Sequence, residues 1–322
     1  MNVRLYLTLV LALLTITAVP QDYIKGSVSQ RWYTSSFRTD MKQRRLSVYL
    51  PPGYGSEESG RYPVLYLLHG TGGDEMSWIN EGRLAEIMDS MITGRLCVPM
   101  IVIMPNGMAD LDAAPGESPY MEGKAKRVNF ESWMGRTEAA FPKEVIPFIE
   151  NEYRTLNGKS GRAIAGLSMG GMHAMAISCN CPDLFDYVGL FSPQTKNILN
   201  DGNIKSIKKT TKKLDRILDN VPFTKGRVKN KLQMDRQRLT NIDIYADIDA
   251  KLVKQFETPP ALYYIAIGRK DPLKRMLCKF LKRMDSLGCP YYYIETDGGH
   301  TWDNWQRYLI DFLPRIFNER IN

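Results

Sequence analysis

Ser168 lies at the centre of the stretch Arg162 to Gly171, a Gly-x-Ser-x-Gly pattern with an apolar run before it and a helical pattern after it. A serine hydroxyl becomes an effective nucleophile when a base takes its proton, and histidine suits that task near neutral pH. The chain has 3 histidines, His69, His173 and His300, so the base can be sought by elimination. His173 falls on the helix behind Ser168 and is expected in packing. His69 opens a glycine-rich loop, where a structural role is expected. His300 remains, on the glycine-flanked loop Asp297-Gly298-Gly299-His300, as the candidate base. A base needs a carboxylate to hold its tautomer and stabilise the imidazolium. Asp271 directly follows an expected strand and is the favoured partner. Asp297 is too local to His300 to orient its ring and is expected to form the turn.

The spacing around Ser168 has a steric reason. A serine at the tip of a sharp strand-to-helix turn occupies strained backbone, and side chains two residues to either side would collide. Gly166 and Gly170 remove that collision. Ala163 to Ala165 reads as the strand, and Met172, Ala174, Met175, Ala176 and Ile177 read as the helix. The helix N-terminus would then aim the Met169 N–H at a developing oxyanion. A second donor is expected from His69-Gly70-Thr71-Gly72-Gly73, where the Thr71 N–H is the candidate.

These groups require a scaffold that brings strand ends together. Residues 24 to 50 read as paired strands. Tyr62–Leu68, Val98–Met104, Tyr187–Phe191, Ala261–Ile267 and Tyr291–Thr296 read as further strands, several of them near-continuous apolar runs of the kind buried on both faces. Helical patterns lie between them. Thr137 to Tyr153 is one, with Pro142 and Pro147 arguing against its first half. The closing helix carries Trp302, Trp305, Leu309, Phe312 and Ile316. Residues 109 to 126 read as a surface loop near the strand ends, and 196 to 257 as a charged helical insertion capping the sheet. Strand and helix alternate without repeat or linker, which predicts one doubly wound α/β domain with a mostly parallel sheet. The chain order Ser168, Asp271, His300 is that of an α/β-hydrolase.

Composition narrows the function classes. At 322 residues the chain can bury a substantial core. Residues 1 to 20 carry Arg4 and then an uncharged apolar run from Leu5 to Val19, shorter than a spanning helix needs, and predict a signal peptide. The remainder, 21 to 322, is then expected to be exported, periplasmic or secreted, with no membrane attachment. Cys97, Cys179, Cys181, Cys278 and Cys289 are scattered and odd in number, so they indicate neither a disulfide framework nor a metal site. The net charge of +8 is concentrated in Lys205 to Lys231. Apolar residues at helical spacing in that stretch make its lysines the solvated face of a helix, and no nucleic-acid partner is expected.

Together, Gly-Leu-Ser168-Met-Gly-Gly, His69-Gly70-Thr71-Gly72-Gly73, the stretch from Ile146-Pro147 to Tyr153-Arg154-Thr155, Asp271 and His300 resemble the putative-esterase family. That family includes carbohydrate esterase family 1, S-formylglutathione hydrolases and mycolyltransferases. The long basic insertion between Ser168 and Asp271 departs from its pattern. The resemblance implies a serine carboxylesterase acting on ester-decorated plant polysaccharide, with feruloyl or acetyl esters of xylan as the expected substrates. No metal or organic cofactor is required. Two other readings have different signatures. An acyltransferase or thioesterase would use the same scaffold, and a non-catalytic carbohydrate-binding protein would use aromatics such as Trp78, Trp133 and Trp302 as platforms.

Overall fold

The computed structural model describes residues 25–35, 43–56, 60–107, 135–195 and 244–318, together with 212, 213, 216 and 217. The expected signal peptide, the 109 to 126 loop, Trp133 and most of the 196 to 257 insertion lie outside the described residues. Among the described residues no helix is long and apolar enough to cross a membrane.

Eight strands form one sheet: β1 (Ser27–Thr34), β2 (Gln43–Leu50), β3 (Val64–Leu68), β4 (Ile101–Pro105), β5 (Arg162–Leu167), β6 (Tyr187–Phe191), β7 (Leu262–Gly268) and β8 (Tyr292–Thr296). Their order is β1-β2-β4-β3-β5-β6-β7-β8. β2 pairs antiparallel with β1 and with β4, and every pairing from β4 to β8 is parallel. The central strands β3, β4, β5 and β6 are buried at every position. Their unbroken apolar runs follow from that, because helices cover both faces.

Strand alternation divides the core in two. Val64, Tyr66 and Leu68 of β3 face one layer with Ile164 of β5, while Leu65 and Leu67 face the other with Ala163, Ala165 and Leu167. The first layer is covered by α3 (Arg136–Glu152), α4 (Met169–Asn180), α5 (Ile248–Glu257) and α6 (Lys274–Ser286). The second is covered by the short α1 (Ser77–Asn80), α2 (Leu84–Thr93) and α7 (Trp302–Phe312). α4 is buried along nearly its whole length, which suits the helix behind the central strand.

α3 departs from the expectation. It runs unbroken through Pro142 and Pro147. Phe141, Val145, Ile146 and Ile149 bury its inner face, while Pro147 lies on the exposed side, where water can serve the carbonyl that a proline leaves unpaired. Tertiary packing therefore overrides the local penalty.

Candidate active site

β5 ends at Leu167 and α4 begins at Met169, leaving Ser168 alone in the turn with φ 54° and ψ −112°. A side chain held there costs about 1–3 kcal/mol and needs support from its surroundings. That support is visible. The Ser168 N–H donates to the Phe191 carbonyl at 2.8 Å, and its own carbonyl accepts from Met172 at 3.2 Å and Gln194 at 3.0 Å. The glycines on either side are sterically required. A Cβ on Gly166 would come within 2.5 Å of the Gly170 backbone, and one on Gly170 within 2.4 Å of the Leu68 carbonyl oxygen.

A peptide group points its carbonyl and its N–H in opposite directions. The Ser168 carbonyl is turned back into α4 and toward Gln194, so the Met169 N–H faces outward from the helix start. The Gly70 carbonyl is likewise held inward, accepting from the Gly73 N–H at 3.1 Å and from His69 Nδ1 at 2.8 Å, in a turn completed by Gly72 at φ 81°. This leaves the Thr71 N–H directed away from the protein interior. A Cβ on Gly70 would lie 3.4 Å from Ser168 Cβ, so the two turns are in contact.

His69 is buried. Its Nε2 accepts from the Gly107 N–H at 2.8 Å, and its Nδ1 faces a carbonyl, so the proton resides on Nδ1. Burial pushes its pKa down to about 4, against the opposing pull of the Gly70 carbonyl. His69 is thus a neutral strut between the β3 and β4 loops. Glu75 anchors the same loop from below. It is fully buried and takes hydrogen bonds from Arg45 and from Asn106, the latter at 2.9 Å.

Asp271 and His300 meet. Asp271 follows β7 and is buried, and its Oδ2 lies 2.9 Å from His300 Nδ1. Its Oδ1 accepts the Leu273 N–H at 2.8 Å. Burial alone would raise the Asp271 pKa. Hydrogen bonds from His300 and the Leu273 N–H outweigh it and hold the carboxyl below its ordinary value. The loops carrying the pair are stitched together by Arg269 N–H to Thr296 and Lys270 N–H to Gly298, each 2.8 Å to the carbonyl oxygen. Asp297 points elsewhere, toward Arg269 at 2.9 Å. His173 is buried on α4 with its Nε2 3.5 Å from Glu138, so it stands in packing and away from the turn.

His300 keeps 26% of its side chain exposed, and that exposed part faces a cavity of about 460 Å³ shared with Ser168, Thr71 and Trp302. Trp305 meets the His300 ring edge to face at 4.9 Å. The arrangement brings the Ser168 turn, a histidine hydrogen-bonded to a buried carboxylate, and the Thr71 loop to one cavity. Such a set can add a hydroxyl to a carbonyl and stabilise the resulting oxyanion. Trp78 is a correction to the reading of this tryptophan as a binding platform. It is fully buried, donating its indole N–H to the Leu68 carbonyl at 3.1 Å, and so belongs to the core. Among the described residues no group of His, Cys, Asp and Glu could hold a metal ion, and the five cysteines are free.

Two supporting residues escape a reading by motif. Asn304 is buried and donates to the Gly299 carbonyl at 2.7 Å, fixing the turn before His300. A polar residue on the buried face of α7, beside Trp305 and Tyr308, was its available signal. Ser192, at φ 46° after β6, is buried near Asp271, and only the Ser-Pro pair at a strand end hints at it.

An eight-stranded, mostly parallel sheet with a glycine-flanked serine turn after β5, and with Asp271 and His300 after β7 and β8, defines an α/β-hydrolase fold. The family model described as Putative esterase matches residues 38–316, and the chain belongs to that family. Over 181 residues, 55% of this chain, it is 35% identical to an endo-1,4-beta-xylanase/feruloyl esterase of Xylanibacter ruminicola, and the match spans 23% of that protein. An acetyl esterase of Caldicellulosiruptor saccharolyticus is 26% identical over 257 residues, covering 79% of this chain and 83% of the relative. The ferulic acid esterase of Anaeromyces mucronatus, solved with ferulic acid, shares the fold. Its TM-score is 0.62 at 18% identity, over 92% of this chain and 96% of that one.

Proposed function

We propose that the chain is an exported serine carboxylic ester hydrolase that removes feruloyl or acetyl groups from plant polysaccharide, with xylan the favoured carrier. The observation that carries this is the 2.9 Å contact between His300 and buried Asp271 at a cavity that also exposes the strained Ser168. Asp271 holds the His300 proton on Nδ1, which leaves Nε2 free to accept the Ser168 proton as Oγ attacks the ester carbonyl. The oxyanion is stabilised by the N–H groups of Met169 and Thr71, each worth about 2.7–4 kcal/mol by analogy with single-donor deletions. His300 then returns the proton to the departing alkoxide, and water releases the acyl group by the same steps in reverse.

Support for the acyl group and carrier is comparative. The Xylanibacter ruminicola relative is named for both xylanase and feruloyl esterase activity, and the Caldicellulosiruptor saccharolyticus relative for acetyl esterase activity. Support for export is the uncharged run from Leu5 to Val19. The test is product release from methyl ferulate, acetylated xylan and a short-chain aryl ester by wild type beside Ser168→Ala. Turnover of at least one ester, abolished by the substitution, is expected. Equal rates in both proteins would reject the assignment.

A further inference from the structure

The direction in which the leaving group departs can be placed from the proton it must receive. A general acid has to lie within hydrogen-bond reach of the atom it protonates. The leaving oxygen of the ester is therefore next to His300, whichever acyl group is attached. Beyond His300 the cavity is lined by Trp302 and Trp305 of α7 and by Asn80 and Glu81 at the end of α1, two elements that meet through Trp78 and Trp302 at 5.3 Å. The alcohol half of the ester must enter this region as it leaves.

Its chemistry is selective. Trp302 is half-buried and fixed by two perpendicular neighbours, Trp78 at 5.3 Å and Trp305 at 5.1 Å, so the ring is a rigid surface. The negative face of an indole attracts the weakly positive C–H bonds of a sugar ring. Asn80 and Glu81 supply amide and carboxylate groups, and neither side chain is engaged by another among the described residues. The wall itself is stiffened by Gln306, whose amide donates to the Glu81 carbonyl at 2.9 Å. A rigid aromatic surface beside hydrogen-bonding groups in one cavity suits a polyhydroxylated ring better than a methyl or alkyl alcohol.

We infer that Trp302, Asn80 and Glu81 form a binding subsite for the sugar on the alcohol side of the ester, and that this subsite sets the preference for sugar esters over simple alkyl esters. The inference rests on the proposed role of His300 as the proton donor. It assigns the part of the cavity beside Trp302, Asn80 and Glu81 to the alcohol.

The assignment is tested by varying the two halves of the ester separately. Feruloyl-arabinose and methyl ferulate share an acyl group, whereas methyl ferulate and methyl acetate share an alcohol. Kinetics are measured for wild type, Trp302→Phe, Asn80→Ala and Glu81→Gln, with Ser168→Ala as the chemical control. Asn80→Ala and Glu81→Gln lie at the rim and keep the experiment informative if the tryptophan variant fails to fold. Each variant is expected to lower the kcat/KM ratio of feruloyl-arabinose to methyl ferulate by about tenfold, mainly through KM, because the sugar loses hydrogen-bonding partners or part of its aromatic platform. The ratio of methyl ferulate to methyl acetate should stay within about threefold of wild type, a shift below 1 kcal/mol. If that second ratio falls instead, the cavity holds the acyl group and the inference is overturned. If wild type hydrolyses the esters but neither ratio moves, the subsite does not exist while the esterase reading stands. Turnover that survives in Ser168→Ala would remove the reading beneath it.

Discussion

Replacing Asp271 by asparagine changes one atom in a fully buried pocket, and the surroundings determine how the new side chain must sit. The Leu273 N–H donates to Oδ1 at 2.8 Å, so this position requires an acceptor. An asparagine satisfies it by placing its carbonyl oxygen there, which turns its NH₂ toward His300 Nδ1, 2.9 Å away in the wild type. An NH₂ cannot accept, so Nδ1 must lose its proton and become the acceptor, and the proton moves to Nε2. In the proposed mechanism the base is then present but in the wrong tautomer. Loss of the stabilising charge adds to the defect. Together these predict a fall in kcat of about ten-thousand-fold, roughly 5 kcal/mol of transition-state stabilisation. Volume and the Leu273 contact are kept, so the unfolding midpoint should shift by only a few degrees. The assay is steady-state turnover of methyl ferulate at neutral pH, with thermal unfolding as the folding control. Activity within about tenfold of wild type would show that the Asp271–His300 contact does not set the tautomer, and the mechanism built on it would fail.

Two further outcomes concern stability. Because His69 binds its proton less readily folded (pKa about 4) than unfolded (about 6.5), its contribution is complete above the unfolded value and is lost as pH falls through that window. Between pH 7.5 and 5 the loss is about 2 kcal/mol, so urea unfolding of wild type should weaken by that much more than unfolding of His69→Asn. Parallel losses in the two proteins would contradict the assignment of His69 as a neutral strut. Strain at Ser168 gives the other. Glycine tolerates φ 54° where alanine does not, so Ser168→Gly should unfold later than Ser168→Ala, by about 1 kcal/mol, while both lack turnover. A more stable alanine variant would mean that the turn is not strained.

Much of this arrangement is legible in the sequence because the demands are local. Gly166 and Gly170 flank Ser168 for a steric reason that any strand-to-helix turn imposes, and the buried strands β3, β4, β5 and β6 show as apolar runs because both faces are covered. With 3 histidines in the chain, elimination points to His300, the one whose ring meets Asp271. Other features depend on which residues meet across the sheet, and a linear pattern carries little of that. Trp78 reads as a surface aromatic until α1 is placed against β3, where its indole N–H finds the Leu68 carbonyl. Pro142 and Pro147 argue locally against a helix that the burial of Phe141 and Ile149 nevertheless maintains. Asn304 and Glu75 are polar residues held inside by partners 5 to 31 positions away, such as Gly299 for the first and Asn106 for the second.

The central claim is that Ser168 is a nucleophile activated by His300. It is tested most directly by covalent capture. Incubation with an alkyl fluorophosphonate, followed by intact-mass and peptide analysis, should add one phosphonyl group to the peptide bearing Ser168. Ser168→Ala should take up none, and His300→Ala should react at least about a hundredfold more slowly, the scale of general-base assistance. Labelling at another residue, or labelling of Ser168 that is indifferent to His300, would contradict the account.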